Sequence, residues 1–153
     1  MKKKASDMEE IRAGTSIPPL RFTADLKALV KYAAATWDFH RYHYDADYAI
    51  RTGMDRPFVD GQMFGALLAR SLMSWAGPDS FLGKLSYRQD AMVFVDETIV
   101  ITGTVRKTEK EGKYQMVSLE MDVAKEDGTR VIAGAHARVR LPRADHDAKV
   151  TDK

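Results

Sequence analysis

The sequence predicts an α+β domain in which one antiparallel sheet wraps round a single long buried helix. Three observations carry that expectation. Segment 62–75, QMFGALLARSLMSW, holds one charge, Arg70, and is apolar nearly all the way round, as a helix sunk in a core must be. Four segments after it, 81–88, 98–105, 114–124 and 131–141, alternate apolar and polar residues with period two. Glu111-Gly112 and Asp127-Gly128 fall between the last three, where an acidic residue followed by Gly closes a hairpin.

Taken in order, residues 1–16 are polar and lack the apolar periodicity that would anchor them, so a flexible segment is expected there. The folded body spans 17–142, and 143–153 is expected to be a flexible tail. Pro18 and Pro19 cannot donate to a ladder, which places the start of the first strand after them, at about 20–23. Asp25 suits the cap of a helix over 26–36, with Leu26, Leu29, Val30 and Ala33 on one face. A second short helix is expected at 45–50, capped by Asp45. Gly53, Asp55, Pro57 and Gly61 then mark a loop, and Gly77-Pro78 stops the long helix. In the last strand Val131, Ala133, Ala135, Ala137, Val139 and Leu141 share one face, with His136, Arg138 and Arg140 on the other. A meander filled by one helix is the hot-dog arrangement. Its open sheet edge leads one to expect a dimer with a continuous sheet.

Composition narrows the function. The 153 residues suit one domain, and 44% hydrophobic with 30% charged is enough for a packed core. Lys and Arg number 24 against 22 Asp and Glu, a net charge of +2, too weak a field to steer a nucleic acid. With no cysteine, thiolate metal sites, cysteine nucleophiles and disulfides are all excluded, which suits a reducing compartment. No apolar run approaches the roughly 20 residues that span a bilayer, and charged residues follow the Lys-rich start. A cytoplasmic protein with no membrane partner is therefore expected.

Chemistry concentrates in window 36–45, TWDFHRYHYD, which holds two of the four histidines, two carboxylates, an arginine and four aromatic residues. Asp38 and His43 are five apart and would diverge on a continuous helix, but a turn between them would bring both to one water. An Asp and a His on one water form a general acid–base pair suited to adding or removing that water. The same spacing also suits a plainer arrangement, with Asp38 capping the next segment and His43 in a polar niche. A metal set of His40, His43, Asp38 and Asp45 lacks any H-E-x-x-H spacing or a third nearby histidine, so no metal and no cofactor are expected. The start of the long helix, Gly61 and Gln62, offers unpaired N–H groups and the positive dipole end to a developing anion. Gly61 leaves room for a ligand to come close to the backbone.

The stretch T-W-D-F-H-R-Y-H-Y-D-A-D-Y-A resembles the signature of MaoC-like enoyl-CoA hydratases, roughly S/T-G-D-x-N-P-x-H-x-D-x-x-x-A. Thr36, Asp38, His43, Asp45 and Ala49 match it, and the Gly at the start of the family's helix falls at Gly61. The likeness covers about residues 20–142. The run D-E-T-I-V-I-T-G-T-V, with F-V-D-G and S-W-A-G-P, further resembles the small single-domain subunits of steroid side-chain hydratases. Trp37, His40 and Arg41 depart from the family's Gly, Asn and Pro. The resemblance implies reversible hydration of trans-2-enoyl-CoA to (R)-3-hydroxyacyl-CoA, with Asp38 as base and His43 orienting the water. Gly61, Gln62, His40 and Arg41 would then bind the acyl-CoA thioester, and a homodimer or a heteromer with another hot-dog subunit would form. Two alternatives are a hot-dog thioesterase, disfavoured because 62–75 holds no carboxylate, and a non-catalytic acyl-CoA-binding subunit of a heteromeric hydratase.

Overall fold

The computed structural model describes residues 11–143. In chain order they form β1 (Ser16–Thr23), α1 (Leu26–Thr36), a 3-10 turn (Arg41–His43), α2 (Ala46–Arg51), α3 (Gly61–Ala76), β2 (Phe81–Ser86), β3 (Thr98–Glu111), β4 (Tyr114–Lys125) and β5 (Arg130–Pro142). The five strands make one antiparallel sheet in the order β1-β3-β4-β5-β2. The inner sides of these strands and the buried face of α3 belong to one hydrophobic cluster, the hot-dog arrangement.

Helix α3 runs one residue further at each end than its apolar pattern. Asp60 caps its start and the Gly77 N–H returns to the Met73 carbonyl at its end. Phe64, Leu68 and Leu72 have no exposed surface, and each contributes about 1.5–3 kcal/mol through burial. The helix is not covered all round, however. Gln62, Ala66, Arg70 and Ser74, spaced four apart, form an exposed stripe. Ala66, which is apolar but small, lies on that stripe and makes the helix read as apolar nearly all round.

Three other expectations need correction. Strand β1 begins at Ser16, so both prolines lie inside it. Pairing only with β3, it is an edge strand, where a missing donor is tolerated, and its register shifts between Ile17 and Leu20. In β5 the alternation breaks: Ile132 is buried and Ala133 exposed, because the register with β4 slips beside Gly134 at φ 67°. On α1 only Leu29 and Ala33 are buried, while Leu26 and Val30 stay largely exposed. Both short helices start at their expected caps, Asp25 and Asp45, and both hairpins close at the acidic-Gly pairs.

The expected flexible segments lie mostly outside the described residues, in 1–10 and 144–153. Within the described part, Ile11 is buried in the core and its carbonyl accepts from Gln115 Nε2 at 2.8 Å. No helix among the described residues is long and apolar enough to cross a membrane.

Candidate active site

The first wall of the site is made by local turn chemistry. Helix α1 ends at Trp37, which adopts the left-handed conformation at φ 60° and returns its N–H to the Ala33 carbonyl. The N–H of Asp38 goes to the same carbonyl at 3.0 Å. This reversal takes the chain off the helix axis. Asp38 Oδ1 then accepts the His40 N–H at 3.2 Å, and His40 Nδ1 caps the 3-10 turn through the Tyr42 N–H. One turn later His43 points back toward Asp38. Its Nδ1 lies 2.9 Å from the Phe58 carbonyl oxygen, which can only accept, so Nδ1 carries the hydrogen and Nε2 is left as the ring's acceptor.

The second wall is the start of α3, held by tertiary contacts. The Val59 N–H donates to Val93, the Val95 N–H to Pro57 and the Phe58 N–H to Tyr42, which pins residues 57–59. Asp60 follows. Its Oδ1 accepts the Gln62 N–H at 2.9 Å and its carbonyl accepts the Met63 N–H at 2.9 Å. Of the two N–H groups expected to be open to an anion, that of Gln62 is thus already used, and that of Met63 is taken as well. Among the described residues the Gly61 N–H has no partner.

Glycines let residues 87–89 lie flat on this helix start. The Tyr87 hydroxyl donates to the Gly61 carbonyl at 3.0 Å, and a Cβ on Gly65 would sit 2.9 Å from that hydroxyl. At Gly61 the side-chain space is filled by Gln89, whose Oε1 lies 3.1 Å from where a Cβ would be. The small size of Gly61 therefore serves packing against Gln89.

Between the walls lies a narrow pocket lined by Leu29, Tyr32, Ala33, Asp38, His43, Asp60 and Met63. One donor atom from each of Asp38, His43 and Asp60 lies within 4.8 Å of the other two, and all three residues are half-buried. No cation lines the pocket. Burial, then the charge of Asp60, then Tyr87 and Asp38, push the Tyr32 phenol above its ordinary range, so it stays a neutral O–H donor. A cleft of about 310 Å³ opens on the same segment, lined by Phe58, Val59, Gly61, Gln89, Asp90, Ala91 and Met92. The trio brings two carboxylates and an imidazole within reach of one another, residue types suited to acid–base chemistry. Donors of this type are also those a divalent cation takes.

The structure thus brings Asp38 and His43 together with Asp60, while Gly61 lines the neighbouring cleft. His40 and Arg41 do not line the pocket. His40 stacks on Tyr42 with ring centroids 4.8 Å apart. Arg41 is bound to Asp45 at 2.6 Å and lies 4.5 Å over the Tyr48 ring. Of the metal set considered from sequence, His40 and Asp45 are turned to these other tasks. Two pocket residues escaped the sequence reasoning. Tyr32 follows Leu29 by three positions on the buried face of α1, a spacing that could have shown it. Asp60 stands as a helix-cap residue before Gly61, and nothing local tells that its carboxylate also meets Asp38.

A family model described as the MaoC like domain matches residues 12–128. No curated protein matches this chain in sequence. Among solved structures, the (R)-hydratase from A. caviae involved in PHA biosynthesis superposes with a TM-score of 0.78 at 21% identity, over 88% of this chain and 100% of that one. The R-hydratase PhaJ1 from Pseudomonas aeruginosa gives 0.78 at 22%, over 88% and 84%. The ChsH1–ChsH2 complex from Mycobacterium tuberculosis gives 0.74 at 23%, over 86% and 98%.

Proposed function

The chain belongs to the MaoC-like domain family, and from that premise we propose that it reversibly hydrates trans-2-enoyl-CoA to (R)-3-hydroxyacyl-CoA with Asp38 and His43 as its acid–base pair. One observation carries the proposal: a turn that closes a five-residue separation sets a carboxylate and a correctly protonated imidazole on one small pocket. In hydration the water oxygen bonds to C3 while Asp38 takes one of its protons. His43 Nε2 accepts from the water's other hydrogen and fixes its direction. The C2–C3 π electrons move toward the thioester, and the resulting enolate takes at C2 the proton that the pair removed from the water, which returns the pair to its starting state. Charge building on the thioester oxygen is met at the start of α3, where Gly61 keeps a free N–H and the helix dipole is positive. The acyl group would enter along the cleft beside Phe58 and Met92.

A hot-dog partner, either a second copy or a related subunit, belongs to the same proposal. Solved structures with this fold include two complexes, ChsH1–ChsH2 and HadBC from Mycobacterium tuberculosis. The test is hydration of crotonyl-CoA, followed by loss of the enoyl-thioester absorbance, with a bulkier enoyl-CoA in parallel. Asp38→Asn and His43→Gln should each lower turnover on the order of 10²–10⁴-fold with circular dichroism unchanged. Wild-type rates in either variant would refute the pair, and no turnover by the wild type on any enoyl-CoA would refute the activity.

A further inference from the structure

The start of α3 is short of donors for an anion. Asp60 takes the Gln62 N–H with its side chain and the Met63 N–H with its carbonyl, and the Tyr87 hydroxyl is spent on the Gly61 carbonyl. Of the N–H groups of Gly61, Gln62 and Met63, only that of Gly61 is left without a partner among the described residues, and an enolate oxygen is better held by more than one preorganised donor. The Tyr32 hydroxyl is different. It lines the pocket with Asp60 and Met63, and among the described residues it has no hydrogen-bond partner in the protein. We propose that Tyr32 is a further catalytic residue, donating its phenolic hydrogen to the thioester oxygen opposite the Gly61 N–H.

The pocket itself joins Tyr32 to the head of α3: Asp60, the cap of that helix, and Met63, its third residue, line it together with Tyr32. Tyr32 also follows Leu29, a fully packed core residue, on the same face of α1, so its ring is seated from behind. A phenol kept neutral by burial and by two carboxylates supplies a hydrogen bond without giving up its proton. The proposal rests on the thioester chemistry above and assigns to Tyr32 no part in moving the water.

The test uses the full chain and four variants. Tyr32→Phe should lower kcat on the order of 10²-fold with little change in KM and an unchanged urea midpoint. Replacing Tyr32 by 3-fluorotyrosine keeps the shape and strengthens the donor, so kcat should stay near that of the wild type. The decisive readout does not need turnover. With Asp38→Asn in place, bound crotonyl-CoA should show a red-shifted absorbance from polarisation of its carbonyl, and adding Tyr32→Phe should abolish most of that shift. A shift that survives Tyr32→Phe, or a kcat unmoved by it, would overturn the role of Tyr32. If the wild type turns over no enoyl-CoA, the hydratase proposal fails, while the absorbance shift still decides whether Tyr32 polarises a bound thioester.

Discussion

The wall of the pocket that carries Asp38 and His43 is contained in residues 38–43, whereas the wall that carries Asp60 is held by strands and loops far along the chain. In the first, successive backbone N–H groups are taken by Ala33, Asp38, His40 and Arg41, all within a few residues. In the second, Val93, Val95, Tyr87 and Gln89 fix the chain between Pro57 and Gly65. One bond pair ties the walls together: Phe58 donates to the Tyr42 carbonyl and accepts from His43. The difference teaches that a candidate acid–base pair can be complete in one short stretch while its electrostatic surroundings are assembled elsewhere.

Substitutions should separate the two walls. The largest stability effect is expected at Asp60, whose carboxylate both caps α3 and faces the pocket. Asp60→Ala should cost about 1 kcal/mol in urea unfolding through loss of the cap. Asp60→Asn keeps a capping oxygen and should cost little. Equal losses in the two variants would show that charge in the pocket, rather than the cap, sets the stability of this wall.

A smaller effect of opposite sign is expected at Trp37. A bulky residue held at φ 60° with most of its surface in water has left-handed strain and little burial to offset it. Trp37→Gly should raise stability by about 0.5–1 kcal/mol, since glycine adopts this conformation freely, and Trp37→Ala should not. A urea midpoint that falls in Trp37→Gly would mean that the edge contact between Trp37 and Phe39, at 5.4 Å, outweighs the strain.

The smallest effect concerns pH. The Tyr48 N–H, helped by the Arg41 guanidinium, holds the Asp45 carboxyl below its ordinary range. A carboxyl lowered on folding stabilises fully above its unfolded value, about pH 4, and that contribution fades as pH falls through the lower folded value. The gap in urea midpoint between wild type and Asp45→Asn should therefore be constant from neutral pH to about 5 and close below 4. A gap that closes already near pH 6 would assign the effect to another group.

Much of this was legible in the sequence. Helix caps at Asp25 and Asp45, the α3 core face and both hairpins depend on neighbours within a few residues, and all were found in place. The meeting of Asp38 with His43 was legible for the same reason. What escaped depends on contacts across the chain. Pro18 and Pro19 read as a strand boundary because only the sheet order shows β1 to be an edge. Ala133 was placed inward because the slip at Gly134 is decided by β4. Tyr32 and Asp60 became pocket residues only when α1 and α3 were set side by side. Arg41 seemed free for a ligand until the fold gave it Asp45 and the face of Tyr48.

Pro18 and Pro19 also bear on how far the sheet can grow. N–H groups alternate between the two sides of a strand, so the doublet takes a donor from the outer margin as well as from the β3 side and interrupts the ladder a neighbouring strand would need. Addition is left to the β2 margin. Were two chains to join there about a two-fold axis, the competent margin of each would be used up and the sheet would grow no further. Strand-by-strand polymerisation would need both margins open, so a proline doublet at one end of the sheet acts as a chain stopper for the whole molecule.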